Sequence, residues 1–201
     1  MYNEKLRLRC YGKVASDTTV FLELKKKFRK RVYKRRITLP YSRVQGFPLD
    51  DSWGQKCEEL DSQNDTAAAR CERQIAGEIG RFLRLYPVEP KVYLHYDRTA
   101  LSGVEDPDLR ITFDTGIHFR QNDCRLDGGG VGGMDCDYGT PVLDPAKVLM
   151  ELKTPFSIPL WLSHLLSGYG VFPVSFSKYG TCYTNFILNR EVSFPQQKLI
   201  A

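Results

Sequence analysis

Polar and apolar residues alternate strictly at the front of the chain. LRLRCYG (6–12) sets Leu6, Leu8 and Cys10 on one side and Arg7 and Arg9 on the other, which predicts a strand. FLELKKKF repeats the period, predicting a second strand over 20–28, and VYKRRITL (32–39) predicts a third with Lys34 and Arg36 on a shared face. KVASD between the first two supplies a turn, and Gly46, Pro48, Asp50 and Asp51 mark a loop. The period then lengthens: Ala68, Cys71, Ile75, Ile79, Phe82 and Leu83 recur at helical spacing over 66–86, with Asp65 as the expected N-cap and Pro87 and Pro90 beyond the end.

Strands are predicted next at 91–97 and at 109–114, where Arg110, Thr112 and Asp114 share a face. A short strand at 117–120 is expected to follow a turn at Thr115 and Gly116. Residues 121–145 lack either period and read as a loop. Its five glycines within 128–133 are followed by no Lys-Ser/Thr, so they make no phosphate loop, and the spacing of Cys124, Cys136 and nearby Asp residues fits no standard metal site. A strand at 147–154, a helix at 159–167 and a last strand over 175–186 complete the pattern. The expected class is α+β: mainly antiparallel β, with two flanking helices, in a single domain over 1–201.

The 201 residues are 42% hydrophobic and 26% charged, which suits a globular chain with a real core. No apolar run is long enough to span a membrane and the N-terminus lacks a signal-peptide core, while six cysteines without close pairing read as reduced thiols. These features place the chain in the cytoplasm as an expectation. The net charge of +5 is unevenly spread: residues 1–43 hold 14 Lys or Arg against 3 Asp or Glu, and the remainder is acidic. A polyanionic partner is therefore expected for the front segment. Nucleic acid fits poorly, because the basic residues alternate on strands and no helix-turn-helix or zinc-finger pattern occurs. His95, His118 and His164 read as structural, and no triad signature is present.

An ordinary half-exposed sheet turns its polar face to water. Here several strands repeat the pattern with Lys and Arg dominating that face, at a same-face spacing of about 7 Å that matches phosphates along an extended chain. Rolled with the charged face inward, such a sheet makes a basic tunnel. The core of FLELKKKF returns as MELK in LMELKTPF (149–156), so Glu23 and Glu151 would sit inside among the cations. Each would neutralise a neighbouring cation or hold a hard divalent metal, Mn²⁺ or Mg²⁺, carrying phosphate.

Several segments then resemble the VTC domain, the polyphosphate polymerase branch of the CYTH-like triphosphate tunnel metalloenzymes. They are RLRCYG (7–12), LELKKKF (22–28), YDRTALSGVEDPDLRITFD (96–114), LMELKTP (149–155) and PLWLSHLLSGYGVFPVSFSKYG (159–180). The resemblance implies an antiparallel tunnel that transfers the γ-phosphate of ATP onto inorganic polyphosphate with Mn²⁺ or Mg²⁺. It implies phosphate contacts for Arg7, Arg9, Lys25, Arg98, Arg110 and Lys178, with Lys25, Arg98, Arg110 and Lys178 closest to the chemistry, and metal binding for Glu151. Strand alternation and proximity add Lys27, Arg36, Arg120 and Lys153 as substrate contacts and Glu23 as a second metal candidate. The family also has a strand region ahead of its Arg-x-Arg strand, which this chain, starting at Met1, is expected to lack. Two other readings use the same residues: a polyphosphate-binding module without turnover, and a metal-dependent hydrolase of short triphosphates.

Overall fold

A computed structural model describes residues 2–29, 31–45, 66–127 and 139–187. The loop at 46–51 and the glycine run at 128–133 lie outside these residues. The chain divides into two compact units, Met1–Lys91 with Asp123–Gly133, and Val92–Asn122 with Met134–Ala201.

The first unit holds an antiparallel sheet in the order β1 (Tyr2–Arg9), β2 (Thr19–Phe28), β3 (Arg31–Pro40). Its first strand begins earlier than predicted, because Tyr2 to Lys5 pair with Phe28 to Lys25. It also ends earlier, ahead of Gly12, whose φ of +70° turns the backbone out of the strand. Val20, Leu22, Leu24, Ile37 and Leu39 point to one side and are buried with Ile75, Ala76, Ile79, Phe82 and Leu83. These last five come from α1 (Ala67–Leu85), whose apolar positions recur three and four apart and so form one stripe against the sheet. Arg35 Nη2 lies 3.5 Å from Glu78 Oε1, between β3 and the helix. The cap is Thr66, one residue after the predicted Asp65: its Oγ1 accepts from the Ala69 amide at 3.2 Å, satisfying one of the helix's orphan donors.

The second unit centres on β5 (Arg110–Arg120), with β4 (Tyr93–Ser102) along one edge. The short β6 (Thr140–Pro141) and β7 (Leu149–Lys153) pair with successive halves of its other edge. The predicted turn at Thr115 and Gly116 is instead a bulge within one continuous strand. The register slips by one residue between His95 and Asp97, and Gly116 supplies the left-handed φ of +55° that the extra residue requires. Ile117, Phe119 and Val142 are buried beside the bulge.

The helix predicted at 159–167 is α2 (Leu160–Gly168). The strand predicted over 175–186 is helical: α3 (Lys178–Cys182) runs on into a π-type turn, Tyr183–Ile187. Ser177 starts it by accepting the Gly180 amide on Oγ at 3.1 Å, and Cys182 and Phe186, four residues apart, pack on Ile117 and Phe119. The strand expected over SFSKYGTC is thus replaced by a capped helical turn whose Cys182 joins the apolar cluster with Phe186 packed against it. The molecule is α+β: among the described residues, antiparallel sheets with three α-helices. Among the described residues no helix is long and apolar enough to cross a membrane.

Candidate functional site

Strand alternation divides each sheet into an apolar face and a charged one. In the first unit, the register sets Arg7 and Arg36 on either side of Glu23, and Lys5 and Lys34 on either side of Lys25. Arg9 and Lys27 extend the same face toward its two ends. Seven cations (Lys5, Arg7, Arg9, Lys25, Lys27, Lys34 and Arg36) thus share a face with one carboxylate, Glu23. Lys26 lies on the opposite face, 3.5 Å from Glu4.

Glu23 is 2% exposed, and its two oxygens are taken by three cations. Arg7 Nε donates to Oε2 at 2.9 Å, with Arg7 Nη2 on the same oxygen. Arg36 Nη2 and Lys34 Nζ reach Oε1 at 2.6 and 2.9 Å. Burial pushes the Glu23 carboxyl up, but the bonds from Lys34, Arg7 and Arg36 pull it down further, to about 2 from 4.5. Of the two roles expected for it, Glu23 has the surroundings of a counter-ion. Buried and held by three cations, it leaves less room for a metal than the 43% exposed Glu151. Aromatic rings support the arginines at this end: Arg9 lies 4.5 Å over the Tyr11 ring and Arg36 4.8 Å over Phe21.

In the second unit, β5 carries Arg110, Thr112 and Asp114 on one face, flanked by Ser102, Ala100 and Arg98 of β4 and by Lys153, Glu151 and Leu149 of β7. Asp114, fully buried, is the hub. Arg98 grips it with a fork, Nε to Oδ1 at 2.6 Å and Nη2 to Oδ2 at 2.7 Å, and Lys178 Nζ reaches Oδ2 at 2.5 Å from the first turn of α3. Burial raises the Asp114 carboxyl, yet the bonds from Arg98 and Lys178 leave it below the ordinary carboxylate range, and the Arg98 guanidinium is correspondingly raised. Tyr96 lies under both cations, 5.3 Å from Arg98 and 4.7 Å from Lys178.

Glu151 is 43% exposed, its Oε1 3.2 Å from Lys153 Nζ and its Oε2 3.5 Å from Arg98 Nη2. Among the described residues no three His, Cys, Asp or Glu side chains cluster as a metal cage. A lone, partly exposed carboxylate beside cations does fit Mg²⁺ or Mn²⁺ held through one carboxylate, with phosphate oxygens and water completing the shell.

The structure therefore brings the expected residues into two groups, each within one unit. Arg7, Arg9, Lys25, Lys27, Arg36 and Glu23 share the first face, and Arg98, Arg110, Glu151, Lys153 and Lys178 gather on the second. Arg120 stands apart from the second group at the far end of β5, stacked 3.9 Å over Tyr93. Sequence reasoning passed over Asp114 and Lys34 as site residues, although both alternate with residues it chose, Arg110 and Arg36. His118 Nδ1 bonds the Gly116 carbonyl at 2.8 Å beside the bulge, and burial lowers the His95 imidazole.

A search of curated proteins finds no match to the chain. The sequence model of the VTC domain matches residues 1–187, nearly the whole chain, so the protein belongs to the VTC domain family, which is associated with polyphosphate.

Proposed function

We propose that the protein is a polyphosphate polymerase: it moves the γ-phosphate of ATP onto the end of an inorganic polyphosphate chain. The observation that supports this best is the pair of cationic sheet faces, each with its buried carboxylate already neutralised, so that the remaining positive charge is available to phosphate. On the first face, Arg7, Arg9, Lys25, Lys27 and Arg36 would bind phosphates at the repeat of a β-strand. Lys25, expected close to the chemistry, keeps that assignment as part of the proposal.

On the second face, Arg98, Arg110, Lys153 and Lys178 would hold the reacting phosphates. A terminal oxygen of the acceptor chain attacks the γ-phosphorus, the bond to the bridging β–γ oxygen breaks, and ADP leaves with that oxygen. Charge spreads over the nonbridging oxygens in this step, so fixed cations and in-line positioning suffice and no side-chain nucleophile is needed. Arginine forks hold two oxygens at once, and lysines follow the charge as it moves. Glu151 would hold Mn²⁺ or Mg²⁺, which supplies further neutralisation of phosphate oxygens.

Incubation with ATP and Mn²⁺ tests the reading: long-chain polyphosphate and ADP are expected. Glu151→Gln should lower this turnover at least a hundredfold while leaving the unfolding midpoint unchanged. Polyphosphate binding without product would make the protein a binding module, and orthophosphate without chain growth would make it a hydrolase. Unaltered turnover in Glu151→Gln would remove Glu151 from the metal site.

A further inference from the structure

Thr112 occupies the centre of the charged face of the second unit. Arg110 and Asp114 flank it along β5, and its direct cross-strand neighbours are Ala100 on β4 and Glu151 on β7. Its hydroxyl is buried, and among the described residues it has no hydrogen-bond partner. Such a group is costly to keep: a buried hydroxyl without a partner has given up its hydrogen bonds to water and gained none in return. Valine has the same shape, suits a strand at least as well and carries no such cost. A threonine at this position therefore gains nothing in the ligand-free fold from its hydroxyl.

An ion pair crosses β5 beside this hydroxyl. Arg98 belongs to β4 and Glu151 to β7, the two strands on either side of β5, and their side chains meet at 3.5 Å. This ion pair therefore spans the middle strand at the level of Thr112 and Asp114. It is long and its glutamate is 43% exposed, so it is a weak closure. A phosphate competes with Glu151 for Arg98. Ala100, with only a methyl group, leaves room beside the hydroxyl once the pair has parted.

The geometry points to Thr112 as a phosphate-binding residue: an anionic phosphate chain separates Arg98 from Glu151, and the uncovered Thr112 hydroxyl donates a hydrogen bond to a phosphate oxygen. This rests on the phosphate-binding reading of the face and adds to it a neutral donor among the cations, one that fixes where an oxygen sits. The Arg98–Glu151 pair becomes the cover of the site in its ligand-free state.

The test is the Thr112→Val variant of the full chain, with inorganic tripolyphosphate as the probe. Calorimetric titration should show affinity weaker by about tenfold or more, the value of a hydrogen bond to a charged group. Thermal unfolding of the ligand-free variant should occur at the same temperature as the unsubstituted protein or higher, and Thr112→Ser should bind as the unsubstituted protein does. Equal affinity in Thr112→Val would overturn the proposal, as would a lower unfolding temperature, which would show the hydroxyl serving the fold. Failure of the unsubstituted protein to bind tripolyphosphate would instead overturn the phosphate-binding reading itself, and the role of Thr112 with it.

Discussion

Two strands of this protein carry nearly the same letters, LELK in β2 and MELK in β7, and their glutamates have different lives. Glu23 lies in the middle strand of its sheet, with arginines directly opposite on both neighbours, and is 2% exposed. Glu151 lies on a strand that pairs with β5, has Thr112 opposite, and is 43% exposed. The acid that matches Glu23 in burial and cation contacts is Asp114, which sits in a motif of unrelated spelling. What a carboxylate does here is set by its place in the sheet and by its cross-strand partners. The short repeat alone does not decide it.

The comparison of Glu23 with Asp114 can be broken experimentally, and the largest effect is expected at Asp114. Its cations are themselves largely covered, Arg98 at 23% exposure and Lys178 at 17%. Asp114→Asn leaves both without their counter-charge, so it should cost about 3–4 kcal/mol of stability by urea unfolding. It should also weaken tripolyphosphate binding, because the fork that orients Arg98 is lost. A cost below about 1 kcal/mol would mean that the cluster holds neither the fold nor the arginine.

A smaller loss is expected at Glu23. The cations around it, Arg7, Lys34 and Arg36, are 48%, 44% and 38% exposed and can turn to water, so Glu23→Gln should cost only about 1 kcal/mol. Its effect on binding should have the opposite sign. With the negative charge gone, the seven cations of that face should hold polyphosphate more tightly at low salt, and the gain should shrink as salt screens it. Weaker binding in Glu23→Gln would show that Glu23 positions its arginines in the way Asp114 does.

The pH dependence follows from the same contacts and is the smallest of these effects. The Glu23 carboxyl is held at about 2, below its ordinary 4.5. A depressed carboxylate contributes stability that is complete above pH 4.5 and is lost as the pH falls through about 2. The stability difference between the unsubstituted protein and Glu23→Gln should therefore be constant above pH 4.5 and narrow steadily below it. A constant difference across that range would contradict the pairing.

Much of this arrangement was legible in the chain, because strands and their charged faces are written in the same period of two. Leu6, Leu8, Leu22 and Leu24 disclosed the core face, and the charged face followed as the remainder. The alternation of Arg110, Thr112 and Asp114 was visible too. That Asp114 would be a buried hub was not, because its partner Lys178 comes from a segment expected to be a strand. The Ser177 cap and the packing of Cys182 and Phe186 into the apolar cluster accompany a helix there, and both act through geometry that a period cannot register. Gly116 misled in a related way: glycine at a turn and glycine at a bulge look alike until the partner strand is known. The ion pair beside Thr112 joins residues of β4 and β7 across β5 and has no local signature.

The central claim is that the charged faces of the two sheets bind polyphosphate, and lysine footprinting tests it most directly. Lys25 and Lys26 are neighbours on β2 but lie on opposite faces, and Lys26 sits 3.5 Å from Glu4 on the face that carries the leucines. Brief acetylation with and without polyphosphate, read by mass spectrometry, should show Lys25, Lys27, Lys34 and Lys153 shielded by the ligand and Lys26 unchanged. Equal shielding of Lys25 and Lys26, or no shielding of either, would contradict the account.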